Sequence, residues 1–267
     1  MQNKKKISKN LSKELRKLII EASYKSGQPS HIGGALSIID IMIVLYKFIL
    51  VIDLKEPKDR FILSKGHGFL ALFVILVHMK FIPKKKINYF QKNGSELIAH
   101  PIMNDKFGIE TSNGSLGQGL SYGVGIAIAY KKKKKKNSVY ILMGDGECYE
   151  GSVWEAAITA TENNLDNLVA IIDCNGYQND GKIGGKMDFR SLYLKWKGFG
   201  WNTIICNGHD IIALKNILKR RKKNKPTAII AKTIKGKGIS FMENNNDWHH
   251  GRVTKSIYQD CLRAINK

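Results

Sequence analysis

Apolar and polar positions along the 267-residue chain fall into two alternating periods. Five short β-rich runs stand out: Arg60–Leu63, Val139–Met143, Leu168–Asp173, Trp201–Cys206 and Thr227–Lys232. Most are continuously apolar, as strands covered on both faces must be. Between them the period lengthens. Leu11, Leu15, Leu18, Ile19 and Ala22 form one stripe of a helix over Leu11–Lys25,. Ser37–Leu50, Phe69–Lys80, Leu116–Lys136, Val153–Asn163, Asp210–Lys223 and Lys255–Asn266 also read as helices. Strands alternating with helices predict an α/β fold, an open parallel sheet with helices on both faces. The chain shows no internal repeat and no dividing linker, so a single domain is expected over residues 1–267. The longest apolar stretch, Ala35–Ile52, contains Asp40 and Lys47, which favours a buried helix over a membrane span,.

Composition changes this picture little. A hydrophobic fraction of 43% belongs to a globular chain,. The four cysteines, Cys148, Cys174, Cys206 and Cys261, form no C-x-x-C pair and read as reduced thiols of a cytoplasmic protein,. The basic N-terminus is not followed by an apolar signal core,. The net charge of +22 is the exception. It comes almost wholly from Lys, without an Arg–aromatic alternation, a zinc pattern or a helix-turn-helix, so specific nucleic-acid recognition is not expected. A positive field does attract phosphorylated substrates. The run Lys131–Lys136 ends a helix and reads as a solvated cap opposing the negative helix end,.

The chemistry concentrates at Gly144-Asp145-Gly146-Glu147-Cys148-Tyr149-Glu150-Gly151, which follows the strand Val139–Met143. One helix later the strand Leu168–Asp173 ends at Asn175-Gly176-Tyr177. Parallel sheets bind ligands beyond the carboxyl ends of their strands. Asp145, Asn175 and the backbone carbonyl of Tyr177 are therefore a candidate oxygen set for a hard cation such as magnesium. Gly144 and Gly146 let the backbone approach a diphosphate closely, and the helix that begins near Gly151 adds its positive end.

Gly144-Asp145-Gly146 followed by Asn175 resembles the fingerprint of thiamine-diphosphate enzymes. Glu147 to Gly151 with Trp154-Glu155-Ala156 resembles the transketolase version. Arg60 to Gly68, Gly114-Ser115-Leu116-Gly117-Gln118-Gly119, Gly208-His209-Asp210 and Thr233 to Gly238 extend the resemblance over about Leu11 to His250. It implies that Asp145, Asn175 and the Tyr177 carbonyl hold magnesium. It also implies that Gly146, Asn175, His67, Gly114, Ser115, Leu116 and His249 contact thiamine diphosphate.

Seven histidines are present. By the same resemblance His31, His100 and His249 face substrate, where imidazoles donate to sugar hydroxyls and move protons near neutral pH. Gln28 rivals His31, because the family usually places a His close behind the Ser26-Gly27 pair. The doublet His249-His250 leaves two candidates, of which the Trp248-His249 pair favours the first. His78 reads as a packing residue on an apolar helix, and His209 as a helix-start residue.

Nothing after His250 matches the second domain that, in this family, holds the aminopyrimidine ring and its activating Glu. The resemblance thus implies an N-terminal transketolase subunit that is active only with a C-terminal partner, in a tetramer of two of each. The implied reaction moves a two-carbon ketol unit from a ketose phosphate to an aldose phosphate, as in the pentose phosphate pathway. Glu150 and Glu155 would join a proton relay between paired sites. A deoxyxylulose-phosphate synthase-like enzyme and a non-catalytic cofactor-binding remnant are the alternatives.

Overall fold

The computed structural model describes residues 2–52 and 58–266; positions 1, 53–57 and 267 lie outside the described residues. Its centre is a five-stranded sheet made of β1 (Arg60–Leu63), β2 (Val139–Gly144), β3 (Leu168–Cys174), β6 (Asn202–Asn207) and β7 (Thr227–Lys232). Every pairing in it is parallel, in the order β1-β2-β3-β7-β6. A small antiparallel hairpin, β4 (Tyr177–Gln178) with β5 (Gly181–Lys182), follows β3.

Alternate strand positions feed two cores. Leu63, Tyr140, Leu142, Ile171 and Ile229 pack with α1 (Gln2–Ser26), α2 (Ile32–Val44), α3 (Phe69–His78), α7 (Ile211–Leu218) and α8 (Lys255–Asn266). Ile62, Ile141, Met143, Ile172 and Ile230 pack with α4 (Gln118–Lys132), α5 (Gly151–Glu162) and α6 (Phe189–Gly198) on the other face. Period-2 side-chain alternation thus gives the three-layer arrangement expected of doubly covered strands.

All thirteen residues of α2 are buried, and a π-helical turn at Leu45–Ile49 extends it. The stretch Ile32–Ile49 is long and apolar enough to cross a membrane, but 83% of it is buried inside the fold. α2 starts at Ile32, five residues before the expected Ser37. Gly33 and Gly34 read as helix breakers, yet here they thin the first turn. A Cβ on Gly33 would stand 2.8 Å from the Trp248 carbonyl oxygen, and one on Gly34 would stand 3.3 Å from the His67 ring. The sequence pattern also missed α6, whose start is fixed by Asp188 accepting from the Ser191 N–H at 2.8 Å,.

His209 is more than a helix-start residue. Asp210 caps α7, accepting from the N–H groups of Ile212 and Ala213 at 3.0 Å each. The His209 ring instead bridges two elements. Its Nε2 accepts from the Ile234 N–H at 2.9 Å, and its Nδ1 meets buried Asp40 on α2 at 2.8 Å. Asp40 also takes Arg16 of α1 at 2.7 Å.

Candidate active site

β2 and β3 end side by side, with Gly144 paired to Asp173, so the turns beyond them converge. Asp145 is 1% exposed. Its Oδ1 accepts from the Gly146 N–H at 2.9 Å and its Oδ2 from the Gly176 N–H at 2.6 Å. Gly176 adopts φ +78°, a left-handed turn that aims this N–H at the carboxylate,. Burial, then the nearby Asp173 carboxylate, pushes the Asp145 carboxyl up to about 7,. Two N–H donors do not neutralise this carboxylate, and a bound divalent cation would.

Asn175 is oriented from behind. Its Nδ2 donates to Asp173 Oδ2 at 2.9 Å, while its Oδ1 accepts from the Tyr177 N–H at 3.0 Å. Asp173 is fully buried and ion-paired to Lys65, and it also accepts from Ser37 at 2.7 Å and from Thr233. Among the described residues, no cluster of three or more His, Cys, Asp or Glu could hold a metal. A set of one carboxylate, one amide oxygen and one backbone carbonyl fits magnesium and no softer ion.

Glu147, one turn later, is also 1% exposed. Its carboxylate accepts from Ser64 at the end of β1, from the Gly117 N–H at 2.9 Å and from the Gly144 N–H at 3.1 Å. It ties the ends of β1 and β2 to the loop before α4. Gly117 has φ +82°, and a Cβ there would stand 2.7 Å from the Glu150 Cβ, so the loop closes against the Gly144–Gly151 turn only with glycine,.

These turns enclose a cleft of about 390 Å³. Its lining includes Asp145, Gly146, Asn175 and Tyr177, with Gly114 and Leu116. His31, His67, His100 and His249 line the same cleft. Ser115 is exposed and is not among the residues that line the cleft, unlike its neighbours Gly114 and Leu116. From His31, the rings of His67, His100, His249 and His250 lie 5.6, 5.6, 5.4 and 4.6 Å away. Gln28 is exposed on the far side of His250 and does not reach the cleft.

The histidines are held neutral. Burial, then His250, lowers His31 to about 3; burial, then Lys235, lowers His249 to about 4. His67 is depressed by burial and Lys65, and His100 by burial and His250. Lys235 is 2% exposed and donates to His249 Nδ1 and to Asn246 Oδ1, each at 2.7 Å. An ammonium can only donate, so His249 Nδ1 is an acceptor and its Nε2 carries the proton. His31 Nδ1 is buried without a hydrogen-bond partner, an acceptor or donor left for a ligand,.

Sequence reasoning missed Lys65, Glu147, Asp173 and Lys235. Three of them stand inside family-like segments without an assigned role. The fourth, Asp173, carried a signal: a carboxylate closing an otherwise apolar buried strand needs a buried cation beside it.

The sequence profile of the family described as transketolase, thiamine diphosphate binding domain, matches residues 7–259. The chain is 40% identical over 263 residues to an apulose-4-phosphate transketolase subunit of Phocaeicola vulgatus, covering 96% of this chain and 92% of that protein. It is 36% identical to a 6-deoxy-6-sulfo-D-fructose transketolase subunit of a Clostridium species, covering 95% and 94%. Human transketolase is 36% identical over 272 residues, and the chain spans 43% of that protein's length. The crystal structure of Campylobacter jejuni transketolase superposes with a TM-score of 0.87 at 26% identity, covering 98% of this chain and 43% of that one.

Proposed function

Given that this chain belongs to the transketolase family through its thiamine diphosphate binding domain, we propose that it is the diphosphate-binding subunit of a split transketolase that uses magnesium. The observation that carries this reading is one cleft lined both by the candidate oxygen ligands Asp145, Asn175 and Tyr177 and by the neutral histidines His31, His67, His100 and His249. Relatives of matching length are themselves named as subunits of transketolases, which supports a C-terminal partner that completes the enzyme.

In this reading the Asp145 carboxylate, the Asn175 amide oxygen and the Tyr177 carbonyl hold magnesium, and Gly146 lets the diphosphate approach the turn. Gly114, Ser115 and Leu116 flank the thiazolium side with His67. The bound cofactor supplies a nucleophilic carbon and an electron sink for breaking and remaking the bond beside a ketose carbonyl. His31, His100 and His249 hold the substrate's oxygens. As neutral imidazoles each offers one donor and one acceptor, so each can pass a proton to or from a hydroxyl without first losing one to water. Lys235 fixes the His249 tautomer so that its Nε2–H is the donor.

The partner contributes the pyrimidine-binding domain and its activating carboxylate. Glu150 and Glu155 are exposed beside Tyr122, Tyr149 and Ile158, each about half exposed, a face suited to assembly into two of each subunit,. Cytoplasmic sugar phosphates, as in the pentose phosphate pathway, are the proposed substrates. A coupled ketol-transfer assay on this chain, on its partner and on their mixture tests the proposal. Transfer only by the mixture is expected, and transfer by this chain alone would overturn it.

A further inference from the structure

Three segments far apart in the chain line the cleft: Lys65 and His67 after β1, Gly114 and Leu116 before α4, and Gly144 to Glu147 after β2. All three are tied to one carboxylate. Glu147 Oε1 accepts from the Ser64 hydroxyl, at the end of β1, and from the Gly117 N–H at 2.9 Å. Its Oε2 accepts from the Gly144 N–H at 3.1 Å. These donors are a hydroxyl and two peptide N–H groups, none of them charged. Burying a carboxylate on neutral donors is unfavourable, so stability alone is a poor account of a Glu at 1% exposure,.

The segments also interlock around it. A Cβ on Gly66 would stand 2.7 Å from the Asn113 carbonyl oxygen, and one on Gly119 would stand 2.6 Å from the Ser64 Cβ. Gly117 is gripped from both sides, because its N–H donates to Glu147 while its carbonyl accepts from the Ser152 hydroxyl at 3.1 Å. With so little room between the backbones, a displacement of one segment is passed to the next.

We propose that Glu147 is a positioning residue that couples the two ends of the cofactor site: a diphosphate held at the Gly144–Gly146 turn fixes the carboxylate, and Oε1 then fixes the Gly114–Gly117 loop for the ring beyond it. The proposal rests on the reading above, that this cleft holds thiamine diphosphate. Glu147→Gln cuts the link while keeping the side chain's shape. An amide has one oxygen, so its NH2 group has to face either the Gly117 or the Gly144 N–H, and the loop or the turn loses its acceptor,.

The test uses the chain assembled with its partner subunit and two probes. Magnesium pyrophosphate needs the turn alone; thiamine diphosphate with magnesium needs the turn and the loop. Calorimetric titration of Glu147→Gln is expected to show the ratio of the two affinities shifted against thiamine diphosphate by about tenfold, as for one buried donor left unpaired, with the cofactor-free melting temperature retained. Hydrogen exchange supplies a second readout: magnesium pyrophosphate slows exchange over residues 114–117 in the wild type and not in the variant. Should the Gln variant fail to fold, Ser64→Ala removes one arm and leaves no donor unpaired, and it is expected to shift the same ratio by about threefold. An unchanged ratio, or loop protection that rises equally in variant and wild type, would overturn the coupling while leaving the cofactor reading standing. A wild-type assembly that binds magnesium pyrophosphate but not thiamine diphosphate would bring down that reading as well.

Discussion

Replacing Asp145 by Asn should stabilise the cofactor-free chain while abolishing its magnesium-dependent cofactor binding. The Asp145 carboxyl is moved from 3.8 to about 7 by burial and by Asp173. Folding therefore favours its protonated form. The destabilisation from ionising it in place is absent below pH 3.8, grows between 3.8 and 7, and is complete above 7,. A displacement of that size corresponds to about 4 kcal/mol. Asn removes the charge but leaves an NH2 group facing the Gly146 or Gly176 N–H, and one lost hydrogen bond costs about 1–2 kcal/mol,. The net at pH 8 is about 2 kcal/mol in favour of the variant, or roughly 5 °C in Tm for a chain of this size. Near pH 5 the wild-type carboxyl is largely protonated, and the advantage vanishes. Saturating magnesium and thiamine diphosphate reverse the order, because they bind only the wild type. Ligand at a hundred times Kd adds about 2.7 kcal/mol. Thermal melts from pH 5 to 8, with and without cofactor, read the crossover, and calorimetric titration reads the affinity. A variant less stable than wild type at pH 8, or one that binds thiamine diphosphate and magnesium with unchanged affinity, would refute the reasoning.

Other expectations follow from the same geometry. His31→Ala should lower kcat roughly a hundredfold with little change in cofactor affinity, while Gln28→Ala leaves kcat alone; steady-state kinetics with the opposite pattern would shift the site role to Gln28. His209→Asn keeps only the group facing Asp40, whereas His209→Gln can still accept from Ile234 N–H. Cofactor affinity should survive better in the Gln variant, and equal losses would mean that the Ile234 contact is immaterial. Mixing purified subunits should saturate activity near a one-to-one ratio, read by titration and light scattering. Polynucleotides should bind weakly and without sequence preference, releasing as salt rises from about 50 to 200 mM in an anisotropy assay; a complex that survives and discriminates sequences would contradict the diffuse lysine reading.

The strands were legible because a buried parallel strand leaves no polar face to confuse the pattern. β1 and β7 match the predicted limits, β2 and β3 run one residue further at the carboxyl end, and β6 is shifted by one residue at both ends. Helix limits were less legible where tertiary contact, not propensity, sets them. Gly33 and Gly34 carry the first turn of α2 because the Trp248 carbonyl and the His67 ring press against it. No local rule can place a glycine pair inside a helix on behalf of residues over thirty and two hundred positions away. α6 was missed for a different reason. Its buried residues Leu192 and Trp196 sit among basic and polar neighbours, and its stripe is only two residues deep.

The candidate site divides in the same way. Ligand types that must occur at strand ends, Asp145 and Asn175, announce themselves by spacing, since parallel register forces those ends together. The groups that orient them do not. Lys65 and Asp173 stand 108 positions apart, and only the fold makes them an ion pair at 1% and 0% exposure. Such a pair is strongly destabilising to break and contributes little net stability when replaced whole, so stability alone does not account for it. Its geometry gives it another use. Asp173 holds the Asn175 amide through its NH2 group, and Lys65 keeps Asp173 ionised so that it can go on accepting that hydrogen bond. Asp145, buried at the neighbouring strand end with two N–H donors and, among the described residues, no cation at ion-pair distance, is left as the carboxylate of the candidate oxygen set.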